Sequence, residues 1–162
     1  MIHLRAIRHK SLKDMRLAQK FARNNDLLNY GYVRDEFAEK YIEYFRVVNG
    51  NAVNDGKLVM KFITLRGQVI GHIWVKYKPA TARVENLYIA GRYRGRGYGK
   101  VALQWAEQAA RERGYTKILV GSSVANRRSR RFYAREGWRR LRKSHSGKSF
   151  QWAKALTIGA RV

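Results

Sequence analysis

The stretch from Lys57 to Tyr77 limits the fold of this chain more than any other: KLVMKFITL, then Arg66-Gly67, then QVIGHIWVKY. Two apolar runs rich in β-branched and aromatic residues, split by a two-residue turn, read as a β-hairpin. The segments around it follow a helical period. Ser11 reads as the N-cap of a helix with Leu12, Met15, Ala18 and Ala22 on one face and Phe21 beside it. A second helix is expected from Asp35 to Val48, with Phe37, Tyr41, Tyr44 and Val48 in register and Ala38, Ile42 and Phe45 widening the stripe. His3 to Arg8 alternates as a first strand, and Arg83 to Ile89 is a short later one. Tyr98 to Arg113 forms a helix ended by Gly114, with Ala102, Leu103, Ala106, Ala109 and Ala110 facing inward. Lys117 to Ser122 reads as a buried strand and Arg127 to Glu136 as a short helix stopped by Gly137. Trp138 to Lys143 and Ser149 to Leu156 close the chain as a strand pair.

The order is therefore β-α-α-β-β-β-α-β-α-β-β, an α+β chain with a mixed, mostly antiparallel sheet flanked by helices. One proline, no low-complexity linker and no repeat give no domain boundary, so a single domain over residues 1–162 is expected. A hydrophobic fraction of 45% with four tryptophans supports a real core. The absence of cysteine excludes disulfides, cysteine-held zinc and a thiol nucleophile, and no metal is expected. No apolar run approaches the ~20 residues of a membrane span. The charged start MIHLRAIRHK lacks the apolar region of a secretory signal, so a cytoplasmic protein is expected. The formal charge of +24 attracts polyanions such as nucleic acid, a ribosome surface or an anionic membrane.

The stretch ENLYIAGRYRGRGYGK carries the chemistry. A P-loop would need glycine at Arg94 and a hydroxyl residue at Val101. A dinucleotide fingerprint fits only loosely, through Gly97, Gly99 and Ala102, and no acid ends the next strand to hold a ribose. What remains is a strand ending at Ile89 and a helix whose first turn holds Gly97 and Gly99. The first N–H groups of a helix lack internal partners, and glycine lets a phosphate approach them closely. Arg92, Arg94, Arg96 and Lys100 add charge, so the stretch reads as a phosphate cradle.

Arg94-x-x-Gly97-x-Gly99 resembles the acyl-CoA-binding signature of the GNAT family of N-acetyltransferases. A second motif of that family has its counterpart in Asn126, Phe132-Tyr133 and Gly137-Trp138. The resemblance spans nearly the whole chain and implies a GNAT fold that uses acetyl-CoA as co-substrate. It implies acetyl transfer to a primary amine by direct attack in a ternary complex. The pyrophosphate would sit on Arg94, Gly95, Arg96, Gly97, Tyr98, Gly99 and Lys100. The pantetheine arm would pair with the splayed strand through Leu87, Tyr88 and Ile89 and meet Asn126. Arg130 stands among the basic residues near the CoA 3′-phosphate.

By the same resemblance Tyr133 protonates the departing thiolate, against the plainer reading of a core aromatic. Glu85, in VENLYI, matches the base of polyamine-type members, against the plainer reading of a salt bridge to Arg83. Strand alternation puts Glu85 on the side of Leu87 and Ile89, opposite Asn86 and Tyr88. His72 is a weaker base candidate. Glu36, Glu39 and Glu43 recur at three and four on the second helix, either as a solvated face or at the acceptor site.

RRSRRFYAREGWRRLRK, from Arg127 to Lys143, holds nine basic residues and one acid. That exceeds the needs of one phosphate, so Arg127, Arg128, Arg131, Arg135, Arg139 and Arg140 are expected to contact nucleic acid or the ribosome. The acceptor is then an amine on or near a polyanion: protein, ribosome or a tRNA-linked amine. Two alternatives stay open: a polyamine-type enzyme and a non-catalytic nucleic-acid-binding protein with this fold. A homodimer also stays open.

Overall fold

A computed structural model describes residues 1–157. Seven strands form one sheet: β1 (Ile2–Ala6), β2 (Leu58–Leu65), β3 (Gln68–Tyr77), β4 (Ala82–Ile89), β5 (Lys117–Ser123), β6 (Arg139–Lys143) and β7 (Ser149–Ala155). Their order across the sheet is β1-β2-β3-β4-β5-β7-β6. Neighbours run antiparallel except β4 and β5. The helices are α1 (Leu12–Tyr30), α2 (Ile42–Asn54), α3 (Tyr98–Glu112) and α4 (Arg127–Arg135). This is the α+β arrangement expected from the residue pattern.

The hairpin forms in the register its turn demands. Arg66 and Gly67 both take positive φ, 50° and 80°, the left-handed pair that matches the twist of a two-residue turn. Farther along β3, Gly71 lies opposite Ile89, and a Cβ there would run into the Tyr88 carbonyl. Only glycine lets β3 and β4 approach this closely.

Side-chain alternation sends two apolar sets to opposite faces. Ile63, Ile73, Val75, Val84, Leu103, Ala106, Ile118 and Val120 pack with α3 on one face. Met15, Phe21, Phe37, Phe45, Met60, Phe62, Trp74 and Tyr88 pack under α1 and α2 on the other. Each large aliphatic or phenylalanine side chain among them contributes about 1.5–3 kcal/mol when fully removed from water.

The second helix departs from expectation. Asp35–Phe37 and Glu39–Tyr41 are separate 3-10 turns, and α2 begins only at Ile42. Ala38 between them is extended, and the buried Gln19 amide donates to its carbonyl at 2.9 Å. That bond rewards the break, because a carbonyl turned toward α1 cannot serve a helix. Phe37 and Phe45 point inward, but Tyr41, Tyr44 and Val48 are exposed, as is Leu12 on α1. Glu36, Glu39 and Glu43 therefore share no single helical face. α1 starts at the expected Ser11 cap, whose side chain accepts from the Asp14 N–H, and continues to Tyr30. Gly31, at φ 76°, ends it by donating its N–H to the Leu27 carbonyl.

Candidate active site

The site begins where the sheet opens. β4 and β5 pair only from Ala82 to Val84 against Ile118 to Val120. Beyond Val84 the outer half of β4 leaves β5, which stays paired to β7 as far as Ser123. The opening coincides with a bulge: Asn86 lies opposite Trp74 and Val84 opposite Val75, so Glu85 is the extra residue.

That bulge corrects the expected side for Glu85. An extra residue shifts the alternation by one, so Glu85 turns to the α1/α2 face shared by Asn86 and Tyr88. It lines a cavity of about 270 Å³ with Glu36, Phe37, Tyr44, Phe45 and Trp74. Arg34 and Lys76 also line it, and Arg34 is held by the buried Asp26 at 2.9 Å. Arg83 Nε stands 3.8 Å from the Glu85 carboxylate while its guanidinium donates to Gln151 at 2.6 Å. Glu85 is thus only loosely paired and remains about one-third exposed, at 35%.

His72 lies on β3 against Phe21, Trp74 and Tyr88 and is wholly buried. Burial pulls its pKa down to about 4, although the hydrogen bond to Asn86 works the other way. It is neutral at physiological pH.

The glycine loop joins β4 to α3. Gly95 and Gly97 have φ of 74° and 83°, and Gly97 caps α3 without a side-chain hydrogen bond. Among the described residues, none of the six backbone N–H groups from Gly95 to Lys100 finds an acceptor. Arg94 braces the loop, its Nε donating to the Ile89 carbonyl at 2.7 Å and its guanidinium lying 5.3 Å from the Tyr88 ring centre. Arg128 reaches over from α4, one guanidinium nitrogen 3.6 Å from where a Gly95 Cβ would stand. Arg96 and Tyr98 face a separate hollow with Arg66, Gln68 and Tyr93.

The second motif lies across the opening. Asn126 caps α4, accepting the Ser129 N–H at 3.1 Å, and donates to Asn29 of α1 at 2.7 Å. Tyr133 is 6% exposed and packs against Phe132, Trp138 and Trp152. Burial alone pushes its hydroxyl well above the ordinary tyrosine range. Arg127, Arg128, Arg131, Arg135, Arg139 and Arg140 are all exposed. Of these, among the described residues, only Arg135 has a carboxylate within reach, Glu136 at 4.0 Å. Arg130, Arg140 and Lys143 gather around the Phe150 ring at 6.0, 4.7 and 5.7 Å.

Among the described residues no cluster of His, Cys, Asp or Glu could hold a metal, and no helix is long and apolar enough to cross a membrane. Sequence reasoning missed Trp74, Asn25 and Asn29. The two asparagines stand four apart, a pairing visible only once α1 is known to reach Tyr30.

Residues 18–138 match the model of the acetyltransferase (GNAT) family. The chain belongs to this family. Over 134 residues it is 30% identical to the aminoalkylphosphonate N-acetyltransferase of Salmonella typhimurium, covering 80% of this chain and 75% of that one. The crystal structure of the PaiA N-acetyltransferase of Thermoplasma acidophilum, in complex with coenzyme A, superposes with a TM-score of 0.75 at 21% identity. It covers 96% of this chain and 99% of its own. The spermidine N-acetyltransferase of Vibrio cholerae, in complex with CoA and spermine, gives 0.73 at 16% identity, covering 96% and 95%. As a GNAT protein, this chain is an acetyl-CoA-dependent N-acetyltransferase.

Proposed function

We propose that the enzyme acetylates the primary amine of an organic cation by direct attack on acetyl-CoA, both substrates bound together between the splayed strands. The observation that carries this reading is the run of six N–H groups from Gly95 to Lys100, beyond the outer end of β4, that find no acceptor among the described residues. Such a run suits a pyrophosphate, with Arg94 and Arg128 beside it supplying charge. Leu87, Tyr88 and Ile89, past the last β4–β5 pair, leave backbone for the pantetheine arm, which Asn126 meets. Arg130 serves the 3′-phosphate.

The amine nitrogen attacks the thioester carbonyl carbon, the new C–N bond forms and the C–S bond breaks. Glu85 takes the amine proton directly or through water, and the CoA thiolate is met by the Tyr133 hydroxyl. Burial raises the Tyr133 pKa, so the phenol keeps its proton beside the sulfur and stabilises the leaving thiolate as a hydrogen-bond donor.

The acceptor cavity suits a cation with an apolar body. Phe37, Tyr44, Phe45 and Trp74 give it aromatic walls, and Glu36 and Glu85 add carboxylates. Asp35, Glu36, Glu39 and Glu43 all sit on the segment from the first 3-10 turn into α2 that also supplies Phe37, Tyr44 and Phe45. With Glu85 they make five of the eleven acids in a chain of +24, which lowers the barrier a cationic amine meets on approach. Glu85→Gln should lower kcat/KM for the amine about 100-fold near neutral pH, with acetyl-CoA affinity kept. The deficit should shrink as pH approaches the ~10.4 of a lysine-type amine. Release of thiol from acetyl-CoA across a panel of amines measures it, and no binding of acetyl-CoA at all sinks the whole reading.

The arginine ridge favours a second reading, in which the acceptor amine sits on or beside a polyanion such as a ribosome or a tRNA. Exposed cations that, Arg135 apart, have no carboxylate partner among the described residues exchange counterions for phosphates, so nucleic-acid affinity should fall steeply between about 50 and 200 mM salt. A flat salt response removes this reading. A cytoplasmic enzyme of one domain is part of either reading.

A further inference from the structure

A chain of side-chain amides crosses the open part of the cleft. Asn126 Nδ2 donates to Asn29 Oδ1 at 2.7 Å, Asn29 Nδ2 to Asn25 Oδ1 at 3.1 Å, and Asn25 Nδ2 to Asn86 Oδ1 at 3.2 Å. His72 Nε2 closes the chain on the same Asn86 oxygen at 2.8 Å. One end caps α4 just after β5, the other lies on β3 and β4, and the two middle amides are one turn apart on α1.

The helix cap fixes the direction of every bond in it. The Ser129 N–H can only donate, so Asn126 must present Oδ1 to it and turn Nδ2 toward Asn29. Each later amide then accepts on its oxygen and donates from its nitrogen. At Asn86 the oxygen receives Asn25, so the imidazole that shares this oxygen must also bring a hydrogen. His72 is therefore the Nε2–H tautomer, with a bare Nδ1. This agrees with the buried atoms that lack partners among the described residues at the inner end: His72 Nδ1, Asn86 Nδ2 and Trp74 Nε1. Trp74 lies opposite Asn86 and lines the acceptor cavity.

We propose that Asn25 and Asn29 are positioning residues that set Asn126 and His72 together across the cleft. The inference rests on the proposed binding mode, in which Asn126 meets the co-substrate arm. The backbone ladder cannot do this work, because β4 and β5 share no pairs beyond Val84 and Val120. The relay supplies the missing connection between the outer half of β4 and the corner after β5. It also keeps one acceptor and two donors presented in a fixed pattern beside the cavity.

The test uses the whole chain in two variants, Asn29→Leu and Asn29→Asp, with two readouts. The first is the ring 15N spectrum of His72, assigned with His72→Gln. Wild type should show the Nε2–H tautomer. An aspartate at 29 accepts from both sides, which turns the Asn25 and Asn86 amides over and should move His72 toward Nδ1–H. The second readout is acetyl-CoA affinity, which should weaken about fivefold in Asn29→Leu, as for one lost hydrogen bond. Asn29→Asp keeps the acceptor for Asn126 and should recover most of that loss. A His72 spectrum unchanged in Asn29→Asp, or an Nδ1–H tautomer in wild type, overturns the relay. Unaltered affinity in Asn29→Leu overturns its role in binding. If wild type binds no acetyl-CoA, the functional reading fails, and the His72 spectrum still decides the relay.

Discussion

The two faces of the sheet are both well packed, yet they are built from different materials. Against α3 the buried set is mainly aliphatic, with Tyr77, Tyr133, Trp138 and Trp152 set among it, and Glu107, the buried carboxylate of that helix, is paired with Lys154 at 3.1 Å. Against α1 and α2 the aromatics interleave with buried polar groups: Gln19, Asp26, His72 and Asn86. A face filled by volume alone can be specified by hydrophobic pattern. A face that buries amides and an imidazole must also satisfy their hydrogen bonds, and it gains directional groups beside the cavity in return. Tyr133 crosses the division: it is buried in the α3-side cluster, yet its hydroxyl is the proposed hydrogen-bond donor to the leaving thiolate.

The largest expected effect tests the packed face. Leu103 is 1% exposed, and Leu103→Ala should cost about 4 kcal/mol in urea unfolding with kcat/KM unchanged well below Tm. Loss of turnover at full folding would break the division. Next comes the polar face under acid. The His72 pKa of about 4 in the fold lies below the ordinary value of 6.5. The unfolded chain therefore takes up a proton that the folded one refuses. Its contribution is fully present above pH 6.5 and is lost as pH falls toward 4, a change on the order of 3 kcal/mol. Urea midpoints across that window measure it, and the slope should flatten when His72 is replaced by glutamine.

Tyr133→Phe should lower kcat about 100-fold, leaving acetyl-CoA affinity and stability nearly unaltered. An equally active variant would return Tyr133 to the status of a core aromatic. The smallest effect lies at the loop. Gly97→Ala forces a Cβ into φ 83° and should cost about 1 kcal/mol of stability. Acetyl-CoA affinity should fall with it if the amides from Gly95 to Lys100 hold the pyrophosphate, which calorimetry reads directly.

Much of this was legible in the residues. The hairpin, the Ser11 cap, the α3 stripe from Ala102 to Ala110 and the glycine loop all depend on neighbours within a few positions. Both family motifs fell on the elements expected to carry them. The second helix misled because its apolar residues suited an unbroken period, whereas the Gln19 bond to Ala38 favours a break. The side of Glu85 misled because alternation assumes one residue per pair, and only the match between β3 and β4 creates the bulge.

The sequence alone determined most of the elements, their order, and the bare, basic loop whose two motifs name the family. Those properties are written in local periods, caps and turns. Tertiary structure decided where the sheet opens, which way Glu85 faces, and that Asn126 meets Asn29. Those depend on contacts between residues as much as 97 positions apart, where no local pattern reaches and only the packing of α1 over the opened strands brings the partners together.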